Sequence, residues 1–142
     1  METIFHYTDH LEYLQDRYNF LQEKQKFLSH RYISQKLGQK TSSIFCRILK
    51  GEINISKSCM DNFIDIFKLS KQEADYFRIL VHLSQSEDIF EKIYNVNKLI
   101  TFVHENKHAF DQKLRHSIIL MILIGQYMTH QTRDYQIIMF LE

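Results

Sequence analysis

The sequence contains no proline, no tryptophan and only three glycines in 142 residues. Because β-hairpins and other tight turns depend on glycine and proline, this scarcity argues against a β-rich fold and favours a helical protein. The chain is 44% hydrophobic and 25% charged, a balance that excludes collagen-like, mucin-like and wholly disordered chains. The net charge is only +1, so any charged partner must be recognised by a local patch of the surface.

Cysteines and long apolar runs are also scarce. Cys46 and Cys59 are too few for a disulfide framework and lack the spacing of a metal clip, so reduced thiols in a cytoplasmic protein are expected. The N-terminal segment lacks the basic and apolar regions of a secretory signal. The longest apolar run, residues 118–124, is far shorter than the roughly 20 residues that span a bilayer. A membrane partner is therefore not expected. A nucleotide cofactor is not expected either, because three isolated glycines cannot form a phosphate-binding loop.

Apolar residues recur at steps of three and four along the chain, which is the period of an α-helix. Ser, Thr and Asp residues offer N-terminal caps, and Gly38 and Gly51 follow two of the helical segments as C-terminal caps. Ser70 and Glu73 have the spacing of a capping box. The predicted helices cover about residues 9–23, 29–37, 41–49, 56–67, 70–84, 89–105, 110–125 and 129–140.

Positive charge is concentrated in one part of the chain. Residues 24–57 contain eight Lys or Arg residues and one acidic residue, Glu52, which gives a local charge of +7. The remaining residues contain 10 positive and 16 negative side chains and sum to −6. The positive segment includes the second and third predicted helices and the turn between them. In a helix-turn-helix the second of two such helices enters the DNA major groove, and positive charge around it contacts phosphates. The sequence therefore predicts binding to double-stranded DNA.

The third predicted helix would direct Ile44, Ile48 and Leu49 toward the core and its polar residues outward. Arginine can form two hydrogen bonds with a guanine edge, and Thr and Ser can bond to bases or phosphates. The candidate base-facing residues are therefore Thr41, Ser42, Ser43 and Arg47.

The start of the second predicted helix offers a phosphate site. Free backbone N–H groups and polar side chains at a helix N-terminus bind phosphate oxygens. Cations beside the third helix are expected to contact phosphates as well. This second candidate set consists of Ser29, His30, Arg31, Lys40 and Lys50, and Gln39 is a further candidate DNA-binding residue.

Three stretches of the chain together resemble a known protein family. They read FHYTDHLEYLQDRY, LSHRYISQKLGQKTSSIFCRILKGEINIS and DNFIDIFKLSKQEADYFRILVHLSQS. Residues 5–86 resemble the N-terminal half of a bacterial family of transcriptional regulators that is often called a "major paralogous domain" family. The most specific shared elements are Tyr7-Thr8-Asp9, Leu37-Gly38-x-Lys40, Gly51-x-x-Asn54-x-Ser56 and Lys71-x-Glu73-Ala74-x-Tyr76-Phe77.

This resemblance implies a lambda-repressor-like helix-turn-helix, with residues 29–37 as the positioning helix and residues 41–49 as the recognition helix. The chain departs from the family at two positions, since Lys68 stands where glycine is usual and Lys57 where proline is common. Family members also carry a long C-terminal region, whereas only residues 87–142 follow here.

A second motif indicates different chemistry. His104, Glu105 and His108 spell HExxH, which on one helix places two imidazoles beside each other for Zn²⁺ and a carboxylate as general base. The longer metzincin pattern is absent from the sequence, and a third ligand would have to come from His116, Glu142 or another residue. No metal site is therefore predicted, and a zinc-dependent hydrolase is kept as an alternative.

The apolar run at residues 118–124 needs cover on more than one side of its helix. A second copy of the chain would provide that cover, and helix-turn-helix proteins commonly read two half-sites as dimers. The alternative is that this helix is the central core element of a monomer.

The sequence as a whole predicts an all-α protein that is not an enzyme. Residues 1–86 form a helix-turn-helix DNA-binding domain, and residues 87–142 form a helical region that dimerises. The expected function is sequence-specific binding of double-stranded DNA in transcriptional control. A protein-interaction module that has lost DNA binding is a further alternative.

Overall fold

The computed structural model describes residues 2–124, and these residues form α-helices and short 3-10 turns without any β-strand. The all-α prediction is confirmed. One 3-10 turn lies at Ile4–His6 and another at Lys107–Ala109. The α-helices are α1 (His10–Lys24), α2 (His30–Lys36), α3 (Ile44–Leu49), α4 (Lys57–Phe67), α5 (Lys71–Gln85), α6 (Ile89–Glu105) and α7 (Gln112–Ile124).

Side-chain caps fix the start of most helices. The side chains of Asp9, Ser29 and Ser56 accept hydrogen bonds from backbone N–H groups in the first turns of α1, α2 and α4, at 2.9, 3.1 and 3.2 Å. The capping box at the start of α5 is complete, because Ser70 Oγ accepts from the Glu73 N–H at 3.3 Å and Glu73 Oε2 accepts from the Ser70 N–H at 2.8 Å. These caps confirm four predicted helix starts.

Two predicted boundaries need correction and one prediction lies outside the described residues. The third helix begins at Ile44, not at Thr41, because Thr41 and Ser42 belong to the preceding turn. The seventh begins at Gln112, two residues after the predicted start at Phe110. The helix predicted at residues 129–140 lies outside the part of the chain that the structure describes.

Helices α2, α3 and α4 end in the same way, with a residue in the left-handed region. These residues are Gly38 (φ 74°), Gly51 (φ 71°) and Lys68 (φ 51°). At each end the N–H of this residue and the N–H of the next one bond to carbonyls of the last helical turn, which is the Schellman arrangement. The Cβ of Lys68 makes this backbone conformation unfavourable by about 1–2 kcal/mol, a cost that glycine avoids.

The chain divides into two compact units, Met1–Arg78 and Ile79–Glu142. In the first unit, α3 packs against α1 and α2, and α2 packs against α4. The Tyr76 hydroxyl in α5 donates a buried hydrogen bond of 2.7 Å to the carbonyl of Tyr7 near the start of the chain. The core of this unit is rich in rings, and its buried aromatic residues are Phe5, Tyr7, Tyr13, Tyr18, Phe45, Phe63, Phe67, Tyr76 and Phe77.

The second unit has an aliphatic core. Its one described buried polar contact between side chains joins Asn95 Nδ2 to Ser86 Oγ at 2.8 Å. In α7, Ile118 is fully buried whereas Leu120 is exposed. No helix in residues 2–124 is long and apolar enough to cross a membrane. The buried apolar residues of this unit are Ile79, Leu80, Val81, Leu83, Val96, Leu99, Ile100, Val103, Phe110, Leu114 and Ile118.

Candidate nucleic-acid interface

A buried serine joins the two short helices of the first unit. The Ser34 hydroxyl, in α2, is fully buried and accepts a hydrogen bond from the Phe45 N–H at 3.1 Å. The same hydroxyl donates to the Ser42 carbonyl at 3.1 Å. Ser43, at the N-cap position of α3, forms no side-chain cap. Ser34 therefore caps α3 from the preceding helix and fixes the turn between them.

A single aromatic side chain anchors α3. Phe45 is fully buried, and its ring centroid lies 5.4 Å from that of Tyr18, 5.2 Å from that of His30 and 5.8 Å from that of Phe63. A helix of six residues is unstable by itself, so tertiary packing must hold it. Phe45 and the buried Ile48 supply that packing.

The inward face of α3 differs from the predicted one. Phe45 and Ile48 are buried, whereas Ile44 and Leu49, which were predicted to face the core, are only half-buried. Residues 45 and 48 share the face of α3 that points inward, and residues 44 and 49 flank this face on either side.

All four candidate base-facing residues are exposed. Thr41, Ser42 and Ser43 lie in the turn before α3, and Arg47 is the one member of the set that lies within the helix. The Ser42 carbonyl is bonded to Ser34, which leaves the Ser42 side chain at the surface. The turn therefore presents three consecutive polar residues, and Arg47 adds a fourth from the helix.

The other candidate DNA-binding residues occupy different kinds of position. Arg31, Lys40 and Lys50 are exposed. The Ser29 hydroxyl oxygen already caps α2, and its O–H can still donate. Gln39 is exposed, and its Nε2 lies 3.9 Å from the sulfur of Cys59.

His30 has a different environment from its neighbours. Its ring is half-buried and lies edge-on to Tyr18, with ring centroids 4.6 Å apart. Burial lowers the pKa of His30 below its usual value, which disfavours the charged imidazolium. The ring packs against those of Tyr18 and Phe45, so His30 is a weaker candidate for a phosphate contact than the exposed Arg31.

Arg47 is paired with the one acidic residue of the basic segment. Arg47 Nε donates to Glu52 Oε2 at 3.2 Å, and the two side chains are 52% and 49% exposed. An exposed pair of this kind contributes about 0–1 kcal/mol to stability. Sequence reasoning missed this pair and also missed Ser34. The isolated negative charge of Glu52 was a visible signal, whereas no local pattern distinguishes Ser34 from an exposed serine.

The HExxH motif does not lie on one helix. Helix α6 ends at Glu105, Asn106 adopts a non-helical conformation, and His108 belongs to the following 3-10 turn. The pattern needs both histidines on one helical face, so this break separates them from the arrangement that holds zinc. Among the described residues, no group of three His, Cys, Asp or Glu side chains could hold a metal ion.

Comparisons of the chain with protein families, with curated proteins and with solved structures found no match.

Proposed function

We propose that the chain is a sequence-specific double-stranded DNA-binding protein that acts in transcriptional control. The observation that carries the proposal is the pair of short helices α2 and α3. The buried side chains of Ser34 and Phe45 fix these helices, and the polar residues of the helices remain exposed. In this proposal α2 positions the unit on the phosphate backbone and α3 enters the major groove. No catalytic role is proposed for these residues, and the expected location of the protein is the bacterial cytoplasm.

The charge distribution supports the proposal. Residues 24–57 carry +7 while the rest of the chain carries −6, so an anionic polymer would be attracted to one segment and repelled by the remainder. Arg31, Lys40 and Lys50 are exposed within that segment. Such cations release counterions from DNA when they contact phosphates, which makes binding dependent on salt.

The two departures from the family pattern also support a lambda-repressor-like arrangement. Lys68, at the position where the family usually has glycine, has a φ of 51°, a conformation that favours glycine. Lys57, where proline is common in the family, is the first residue of α4, and this is the helical position at which proline is best tolerated. The family residues are therefore the ones that this backbone would favour at both sites.

A second copy of the chain fits the proposal because helix-turn-helix proteins read paired half-sites as dimers. The second unit offers an apolar surface on α6, where Phe90 is 77% exposed and Tyr94 is 60% exposed. Sedimentation of the free protein at micromolar concentration tests this part of the proposal, and a single monomeric species would contradict it.

The first experiment is fluorescence anisotropy of a labelled mixed-sequence duplex, titrated with protein at two salt concentrations. Binding that weakens steeply with salt is expected. Absence of binding at low salt would contradict the proposal and favour the protein-interaction alternative.

Two substitutions then test the assignment of residues. On a duplex selected from random DNA, Arg47→Ala is expected to lower affinity by about 1–3 kcal/mol and to relax base preference. Lys50→Ala is expected to weaken binding to all duplexes equally and to reduce the salt dependence. Unchanged affinity in both variants would show that the interface lies elsewhere.

A further inference from the structure

Residue 52 is fixed to residue 47 by two separate hydrogen bonds. The Glu52 N–H donates to the Arg47 carbonyl at 3.0 Å, and Arg47 Nε donates to Glu52 Oε2 at 3.2 Å. Gly51, with its φ of 71°, makes the turn that brings the chain back on itself between them. The backbone hydrogen bond and the turn at Gly51 thus bring Glu52 within reach of the Arg47 side chain.

The side-chain bond uses Nε, which is one edge of the guanidinium group. In the described structure Arg47 forms no other side-chain hydrogen bond, so its two Nη groups remain available. Two Nη groups can bond simultaneously to O6 and N7 of guanine, the commonest specific contact between a protein and a base. A guanidinium already held at Nε also loses less side-chain freedom when it binds.

Glu52 is otherwise an unfavourable residue for this surface. It is the one acidic residue in residues 24–57 and is half-exposed, so its charge opposes the approach of phosphates. As an exposed ion pair it adds little to the stability of the fold. The one favourable contribution of Glu52 that a neutral residue would lack is therefore its ion pair with Arg47.

From these observations we infer that Glu52 is a specificity-determining residue, which positions Arg47 to read a guanine through its two Nη groups. The inference rests on the proposed DNA-binding function. Glu52 itself contacts no base. It restricts Arg47 to base recognition and keeps the guanidinium from bonding to phosphates without regard to sequence.

The test compares Glu52→Gln with the unchanged protein on two duplexes. One is the duplex that the unchanged protein selects from random DNA. The other has one G·C pair of that site replaced by A·T. This G·C pair is the one that Arg47 reads, which is identified because Arg47→Ala binds the two duplexes equally well. Glu52→Gln is expected to reduce discrimination between the duplexes by up to about fivefold, the most that an exposed ion pair can contribute. It is also expected to strengthen binding to mixed-sequence DNA and to steepen the logarithmic salt slope by about 1.

Two controls separate positioning from a simple change of charge. Asp65→Asn removes an exposed negative charge from α4, and Asp65 forms no described contact with Arg47. It is expected to leave discrimination unchanged. In an Arg47→Ala background, Glu52→Gln is expected to cause no further loss of discrimination, because the residue that it positions is absent.

The outcomes distinguish this inference from the proposed function. If the unchanged protein binds no duplex at low salt, the proposed function fails and the inference fails with it. If the protein binds and selects a duplex but Glu52→Gln discriminates as well as Asp65→Asn does, the inference alone is overturned. Circular dichroism checks that each variant keeps its helices.

Discussion

The two units of the chain are built from different kinds of side chain. Among the described residues, the first unit buries nine aromatic side chains, whereas Phe110 is the one aromatic side chain that the second unit buries. The first unit has helices as long as α1, with 15 residues, but it also contains two very short ones. Helices α2 and α3 of the first unit have seven and six residues, and α6 and α7 of the second unit have 17 and 13.

The difference shows how short helices are stabilised. A long amphipathic helix buries many aliphatic side chains, each of which contributes a small part of the stability. A helix of six residues has room for only two buried side chains, so each must bury a large area. A phenylalanine ring also contacts neighbouring rings in preferred orientations, which fixes the helix as well as stabilising it. The first unit therefore depends on a few residues to hold its exposed polar surface.

The strongest challenge to this contrast is Phe45→Ala. Because Phe45 is fully buried against three rings, the free energy of unfolding should fall by about 3–5 kcal/mol, measured by urea denaturation. Phe27→Ala is the matched control, since Phe27 is 62% exposed and its loss should change stability by about 0.5 kcal/mol. Equal losses in the two variants would contradict the role assigned to Phe45.

Ser34→Ala tests the polar link between α2 and α3. The substitution leaves the Phe45 N–H buried without its hydrogen bond, so unfolding should require about 1–3 kcal/mol less. Hydrogen exchange should speed up at the Phe45 amide in particular. Ser117→Ala is the control from the second unit, because the exposed Ser117 hydroxyl bonds to a carbonyl of its own helix. Unchanged protection at Phe45 would mean that Ser34 does not cap α3.

Lys68→Gly should have the smallest effect and the opposite sign. Glycine has no Cβ to oppose a φ of 51°, so the variant should gain about 1 kcal/mol in thermal unfolding experiments. Lys50→Gly is a matched control at the end of α3, where φ is −80° and glycine brings no such relief. A gain from Lys50→Gly as large as that from Lys68→Gly would rule out the backbone explanation.

The sequence predicts those features whose cause is local. The caps at Asp9, Ser29 and Ser56 and the capping box at the start of α5 depend on residues within one turn, and the structure contains all of them. The same is true of the predicted glycine ends at Gly38 and Gly51.

The features that the sequence does not predict depend on distant partners. Thr41 satisfies the local rule for a cap, and the sequence therefore predicts that α3 starts there. The cap instead comes from Ser34, eleven residues before the amide that it bonds. The pairing of Arg47 with Glu52 spans only five residues and follows the predicted turn at Gly51, but helical periodicity does not pair side chains across the end of a helix. For the candidate interface, exposure was predictable from polarity, whereas its internal contacts were not.

The bond between Tyr76 and Tyr7 has a consequence for how the protein is made. The ribosome synthesises the chain from its N-terminus, and Tyr7 and Tyr76 are separated by 69 positions. Helices α1 to α4, with every candidate DNA-contacting residue, are therefore synthesised before the first unit can close. Closure over so long a separation is slow compared with the formation of a helix. A nascent chain that stops before α5 contains every candidate DNA-contacting residue but lacks the hydrogen bond from Tyr76 to Tyr7.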